Sequence, residues 1–434
     1  MKAYEMVIYR GMIQDKIFAE FAQVIDGYEE MEKAEISKMM FEGISGLIQT
    51  AQSRGFSGNL WHVYLTFLLA NDENSYSRFC EKKGCMEGSM KMLLHHDMEI
   101  IKYYMDFDWK IIENKTGVKF AQLFEDFIPA EAKGIVFNRV LRDRIDALAV
   151  KLANEDVDCM CDEISNFYGE YGVGKFGLHK AFRVQHEENG AKIVPIVNSS
   201  SVMLDDLVGY DIQKQQLIDN TEAFVNGKKA NNVLLYGDSG TGKSTSIKAI
   251  LNQYYKDGLR MIEIYKHQFQ DLNSVIAQIK DRNYKFIIYM DDLSFEESEL
   301  EYKYLKAVIE GGLEIKPDNV LIYATSNRRH LVKETWDDQK KIGDDIHGND
   351  SKQEKLSLFA RFGVAIYYGS PVKKEFLNIV HTLAEREGID LPWEVIEQKA
   401  IRWELTHGGF SGRAAQQVIT HLKGTELDTA DKKL

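Results

Sequence analysis

Residues Asn231 to Thr245 read NNVLLYGDSGTGKST, and their reading decides the fold. Val233 to Tyr236 form a short apolar run of the kind that fills a buried parallel strand. Gly237 closes the run. Gly237, Gly242, Lys243 and Ser244 then satisfy the G-x-x-x-x-G-K-[ST] pattern, and Ser246 to Tyr254 carries a helical pattern. A strand, a glycine loop and a helix in that order make a nucleoside-triphosphate cradle from Gly237, Asp238, Ser239, Gly240, Thr241, Gly242, Lys243, Ser244 and Thr245. The glycines let backbone N–H groups turn inward around phosphate oxygens, and the helix N-terminus adds partial positive charge. Lys243 is placed to reach the β- and γ-phosphates, and the Ser244 hydroxyl to ligate Mg²⁺.

Downstream, four more apolar runs alternate with helical pattern: Met261–Tyr265, Phe286–Met290, Val320–Ala324 and Val364–Tyr368. With Val233–Tyr236 they predict a five-stranded parallel α/β sheet with ligands at the carboxyl ends of its strands. The run FIIYM ends in Asp291-Asp292. Asp291 suits a metal ligand and Asp292 a base that orients or deprotonates the attacking water. Glu296 and Glu297 are nearby rivals for the base. The next run ends in Ala324-Thr325-Ser326-Asn327, where Asn327 either holds the lytic water or γ-phosphate or simply closes a turn. Arg361, in SLFARFG just before the last run, is placed to reach a neighbouring subunit's site or to make a surface ion pair. The acidic stretch Asp337 to Asp350 lacks EF-hand spacing and reads as an acidic loop.

Beyond the sheet, Ser370-Pro371 predicts the cap and first position of a helix to about Arg386. A second helix follows from Pro392 to about Thr406. Ser411 caps a third, with Gly424 just past its end. Arg413 then sits in the first turn, where a cation opposes the local dipole, which points to a facing anion such as a triphosphate.

Upstream, LDDLVGYDIQKQQL (Leu204–Leu217) leads through an amphipathic helix, Gln213 to Phe224, into the phosphate-loop strand. Gly209, after Leu207 and Val208, would let the backbone lie close to a flat base. A plain connecting helix is the alternative. Residues 1–185 read as a mainly helical domain, with apolar spacing over Ile17–Ile25, Ile36–Ala51, Met90–Met105 and Ala130–Leu152. It is a candidate partner- or substrate-binding module. His95 and His96 point different ways on a helix and read as a solvated or half-buried face. The domain plan is therefore 1–185 helical, 186–230 linker and adenine-side segment, 231–370 catalytic core, 371–424 helical lid and 425–434 loose tail.

The 434 residues are 44% hydrophobic and carry a net charge of −13. That charge argues against non-specific binding to nucleic acid or an anionic membrane. The 4 cysteines fit no common zinc spacing and read as reduced thiols. The first residues lack an apolar signal core and no run is long enough to span a bilayer, so a soluble cytoplasmic protein is expected.

Taken together, LDDLVGY, LLYGDSGTGKS, DDLSFE, ATSNRRHL, ARFG and GGFSGRAAQQ resemble the AAA+ ATPases, and within them the domain-of-unknown-function 815 branch. The likeness covers about residues 190 to 424. It implies an AAA+ P-loop core with a helical lid, ATP and Mg²⁺ as cofactors, and ATP hydrolysis. By that resemblance Asp291 and Asp292 occupy Walker B, Asn327 is similar to sensor 1, Arg361 to the arginine finger, Arg413 to sensor 2, and Val208 and Gly209 match the adenine-side box. AAA+ proteins usually carry Glu where Asp292 stands, which leaves the base one methylene short. They also favour Asp where Ala360 stands.

The function implied is a remodelling or assembly machine for a protein client, working as a homo-oligomeric ring with a hexamer among the options. An initiator- or loader-like ATPase acting on nucleic acid is a second reading, disfavoured by the acidic balance. A nucleotide-gated scaffold with little hydrolysis is a third. A threading unfoldase fits less well, because YKHQFQDL after the second run lacks an aromatic–apolar–glycine loop, although Tyr265 or Phe269 could serve.

Overall fold

A computed structural model describes residues 2–84, 88–129, 139–187, 190–295, 300–310, 317–327 and 361–431. The chain forms two units. One comprises Met1–His179 with Pro195–Asn198, the other Lys180–Val194 with Ser199–Leu434.

The first unit is helical: α1 Lys16–Gly27, α2 Lys33–Arg54, α3 Leu60–Asn71, α4 Ser75–Lys83, α5 Ser89–Met105, α6 Lys110–Thr116, α7 Arg139–Asn154, α8 Val157–Tyr171 and α9 Gly174–Leu178. Short polar side chains start several of these helices by taking up their orphan N–H groups. Asp15 accepts from Phe18, Asn59 from Trp61 and His62, Asn74 from Ser77, and Asp156 from Cys159. The core is aromatic. Phe21 stacks on Trp61 with ring centres 4.5 Å apart, and Trp109 meets Phe124 edge-on at 5.4 Å. Gly46 of α2 admits α1 closely, since a Cβ there would stand 2.7 Å from Ile17. The fully buried Asp97 accepts the backbone N–H groups of Val7, Ile8 and Tyr9 at 2.7–2.9 Å, which ties the N-terminal segment to α5. His95 lies 3.6 Å from both Glu99 and Asp158, and the His96 ring nitrogen 3.1 Å from the Glu5 carbonyl. Cys80 and Cys161 are buried thiols and Cys159 an exposed one. The front of the helix expected from Ala130 lies outside the described residues. Among the described residues, no helix is long and apolar enough to cross a membrane.

The second unit is built on a sheet of β1 Ala181–Glu187, β2 Gly190–Pro195, β3 Val233–Gly237, β4 Leu259–Glu263, β5 Lys285–Met290, β6 Val320–Ser326 and β7 Val364–Tyr368. Their order is β2-β1-β4-β5-β6-β3-β7. Every pairing from β1 to β7 is parallel. The α/β class holds, but among the described residues the sheet has seven strands where the apolar runs suggested five. The two extra strands come from 181–195, which reads as helical domain and linker in sequence. β1 carries Arg183, Gln185 and His186 and buries only Ala181, Phe182 and Val184, so it lacks the continuous apolar run of an inner strand. β5 and β6, covered on both faces, are buried almost throughout.

Helices connect the strands: α10 Asp211–Val225, α11 Lys243–Tyr254, α12 Leu272–Ile279 and α13 Leu300–Glu310. Three more close the chain: α14 Lys373–Glu387, α15 Trp393–His407 and α16 Gly412–Asp431. These last three share their own apolar core around Phe376, Val380, Ala400, Ala415 and Leu422. Two boundaries differ from expectation. Val372, not Ser370, is the cap of α14: the Glu375 carboxylate takes the Val372 N–H at 3.0 Å, and the Ser370 N–H is held by Asp238. Gly424 does not end α16, since its φ is not left-handed and the helix runs on to Asp431.

Candidate functional site

The parallel register brings four strand ends together. Val233 to Gly237 pair one for one with Val364 to Tyr368, Tyr236 pairs with Ser326, and Met290 with Ala324. The residues just past β3, β5, β6 and β7 therefore meet at one rim of the sheet.

The phosphate loop leaves β3 at Gly237, whose φ is +129° and where a Cβ would meet the Tyr368 carbonyl oxygen at 2.2 Å. Only glycine fits there. The next N–H, from Asp238, donates to the same carbonyl at 3.0 Å, and the Asp238 carboxylate accepts the Ser370 N–H at 2.7 Å. The loop closes on itself through the Thr241 hydroxyl, which donates to the Asp238 carbonyl at 2.8 Å. Ser239 lies within the loop, and Thr245 follows Ser244 in the first turn of α11. Lys243 is 5% exposed and donates to the carbonyls of Gly237 at 3.0 Å and Asp238 at 2.6 Å. Burial pulls its ammonium below the ordinary lysine value. Asp238, Asp292 and Asp291 oppose that shift and Arg413 adds to it.

The Ser244 hydroxyl donates to Asp291 Oδ1 at 2.7 Å, and the Thr325 hydroxyl donates to the same oxygen at 2.6 Å. Burial alone would raise the Asp291 carboxyl. The bonds from Thr325 and Ser244, with the Tyr289 phenol and Lys248 nearby, hold it below the usual carboxylate value. Ser244 and Asp291 together offer hard oxygen donors, which suit Mg²⁺. Asp292 turns away in a left-handed conformation, φ +51°. Its N–H donates to Thr325 Oγ1 at 2.8 Å, and its carboxylate accepts the Asn327 amide at 2.7 Å. Asn327 is thus a partner of Asp292 and more than a turn residue. Glu296, Glu297, Ala360 and the acidic stretch 337–350 lie outside the described residues.

The segment before α10 reaches the same place. Val208 packs against the apolar core shared by α14, α15 and α16. Gly209 has φ +79° and Tyr210 φ +58°, and the Tyr210 hydroxyl donates to the Gly369 carbonyl at 2.8 Å while its ring stacks on Tyr368. Arg386 of α14 grips the segment through the carbonyls of Asp205 and Asp206 at 2.7 and 2.8 Å. Arg413, exposed at the start of α16, has its backbone N–H on the Gly240 carbonyl. Sequence reasoning gave Thr325, Tyr210 and Arg386 no role and read Ser370 only as a helix cap, because nothing local in their positions signals these long-range partners.

Arg361 is the one predicted site residue placed elsewhere. It is exposed and precedes Val364, which sits beside Val233 at the start of β3. At about 3.3 Å per residue Val364–Tyr368 alone spans about 13 Å, and Arg361 lies before its start, at the end away from the phosphate-loop rim. Of the two aromatics offered for a threading role, Phe269 is 1% exposed and packs on Phe295, which removes it, whereas Tyr265 is 47% exposed.

The family model described as protein of unknown function (DUF815) matches residues 177–426. The replication factor C large subunit of Methanococcus maripaludis is 38% identical over 76 residues, which is 18% of this chain and 15% of that protein. Among solved structures, the RuvB Holliday junction branch migration motor of Thermotoga maritima is similar at 15% identity and a TM-score of 0.35, over 50% of this chain and 63% of that one. The FIGL-1 AAA domain in complex with ADP is similar at 17% identity and a TM-score of 0.37, over 54% and 77%.

Proposed function

The chain belongs to the family of proteins of unknown function DUF815, and from that premise we propose that it binds and hydrolyses ATP with Mg²⁺ to remodel or assemble a protein partner. The observation that carries the proposal is the convergence of Lys243, Ser244, Asp291, Asp292 and Asn327 at one rim of the sheet. In this reading the loop N–H groups and Lys243 hold the phosphates. Ser244 and Asp291 hold Mg²⁺, whose charge offsets that of the triphosphate. Asp292 orients and deprotonates the attacking water, and Asn327 positions it or the γ-phosphate. Val208 and Gly209 flank the base, and Arg413 reaches the triphosphate from the lid. Arg361 is too far from its own site and serves the next subunit of a ring, while the helical unit engages the client.

Calorimetric titration of the full chain with ATP and Mg²⁺ tests this. Saturable binding is expected, with loss of binding or turnover in Lys243→Ala. A wild-type chain that takes up no heat and releases no phosphate overturns the proposal. The identity with replication factor C favours one second reading, an ATPase acting on nucleic acid. Stimulation of turnover by DNA would support that reading, and its absence would leave the protein client.

A further inference from the structure

The two acidic residues after β5 are both held by one hydroxyl on the neighbouring strand. Thr325 lies in β6 opposite Leu235 of β3 and is 2% exposed. Its Oγ1 donates to Asp291 Oδ1 at 2.6 Å and accepts the Asp292 N–H at 2.8 Å. The backbone around it reinforces the junction: the Leu293 N–H donates to the Thr325 carbonyl at 2.7 Å, and the Ser326 hydroxyl to the Leu293 carbonyl at 2.7 Å. Asp292 stands at φ +51°, a conformation that a residue with a Cβ keeps only where its surroundings hold it.

We propose that Thr325 is a positioning residue, whose hydroxyl orients the Asp291 carboxylate toward Ser244 and at the same time anchors the backbone of Asp292, whose carboxylate meets Asn327. The proposal rests on the ATPase reading above. A hydroxyl has one proton and two lone pairs. With the proton given to Asp291, a lone pair is free for the Asp292 N–H, so one group sets the direction of the Asp291 carboxylate and the backbone from which the Asp292 side chain leaves. The Asp291 carboxylate cannot be re-aimed, nor the Asp292 backbone moved, without breaking a bond to this oxygen. In this reading Thr325 acts through the two acids, to which its hydroxyl is bonded.

The alternative is that Thr325 merely fills space between β5 and β3. The two roles make opposite demands on substitution. Thr325→Val keeps the volume and loses both bonds; Thr325→Ser keeps both bonds and loses a methyl group. In the full chain, with wild-type melting as the check on folding, Thr325→Ser should keep turnover within about threefold, and Thr325→Val should lose about 30-fold or more in kcat, a loss of the size that small misplacement of reacting groups causes. KM for ATP should change by less than about threefold in both, since the phosphate loop is untouched. A fluorescent ADP analogue gives a readout apart from turnover. Its affinity without Mg²⁺ should match wild type, while the Mg²⁺ concentration needed to tighten it should rise about tenfold in Thr325→Val only, through the misdirected Asp291. If Thr325→Val does not fold, Thr325→Ala takes its place with the same expectation. An active wild type whose Val variant keeps kcat, or whose Ser and Val variants lose it alike, overturns the positioning role and leaves the ATPase reading intact. A wild type that ignores ATP overturns both.

Discussion

The backbone N–H of Arg413 donates to the carbonyl of Gly240 at 3.1 Å, so the first turn of the last lid helix is bonded directly to the phosphate loop. The contact is tight. A Cβ at Gly240 would stand 3.1 Å from the Arg413 Cβ and 3.2 Å from the Ser411 hydroxyl, which caps α16 by accepting the Ala414 N–H. Helix α16 is therefore seated by main chain, and the Arg413 side chain is left exposed. Arg413→Ala should leave the seat and the melting temperature nearly unchanged, as for other exposed substitutions. It should weaken ATP binding by about tenfold or more, the size of one hydrogen bond to a charged group. Calorimetric titration reads the affinity. An unchanged value would mean that Arg413 does not face the nucleotide.

Arg361 and the phosphate loop stand at opposite ends of the β3–β7 pair. Turnover should therefore rise with protein concentration as subunits assemble, and Arg361→Ala should abolish turnover while sparing ATP affinity. A trans arginine contributes about 10³–10⁵ in rate through charge on the transferred phosphoryl group. Phosphate release measured across a concentration series tests both parts. A variant that keeps full turnover as a monomer would end the shared-site proposal.

The phosphate loop was legible from sequence because its glycines answer a backbone requirement that no other residue meets: at Gly237 a Cβ would strike the Tyr368 carbonyl. β5 and β6 were legible because strands buried on both faces must be apolar along their length. β1 and β2 were not, since their mixed polar and apolar residues resemble a linker until β4 is seen to pair with β1. The α14 cap was misplaced by two residues: the helix starts after Val372, whose N–H the Glu375 carboxylate takes, while the Ser370 N–H is held by Asp238, 132 positions away. Thr325 was visible as a letter but not as a hinge between two acids, because that depends on strand register, which sequence pattern does not carry.

Stability of the helical unit should depend on pH through Asp72, at the end of α3. Burial lifts its carboxyl to about 6, against a hydrogen bond from Asn74 and with further lift from Asp97 and Glu73. The folded unit therefore favours the protonated form. That contribution is complete below about pH 4, the ordinary aspartate value, and is lost as pH rises through the folded value of about 6. Asp72→Asn should flatten this slope and, after allowance for solvent screening, stabilise the unit by about 1 kcal/mol at pH 7.5. Hydrogen exchange over Leu60–Asn71 from pH 4 to 7.5, corrected for intrinsic rates, is the measurement. An equal slope in both proteins would count against the assignment.

Asp292 offers a test of the base that does not disturb the backbone. Its φ of +51° is costly for most residues, but asparagine tolerates that region better than other residues with a Cβ. Asp292→Asn also keeps a side-chain oxygen for the Asn327 amide, now 2.7 Å away. Fold, lid seat and ATP affinity should therefore be retained, and only the charge that activates water is lost. Turnover should fall by about 10²–10⁴, the usual contribution of a positioned base. The variant should then hold ATP long enough to retain a client through purification. If turnover instead stays within about threefold of wild type, the base lies elsewhere, and Glu296 and Glu297 become the residues to substitute next.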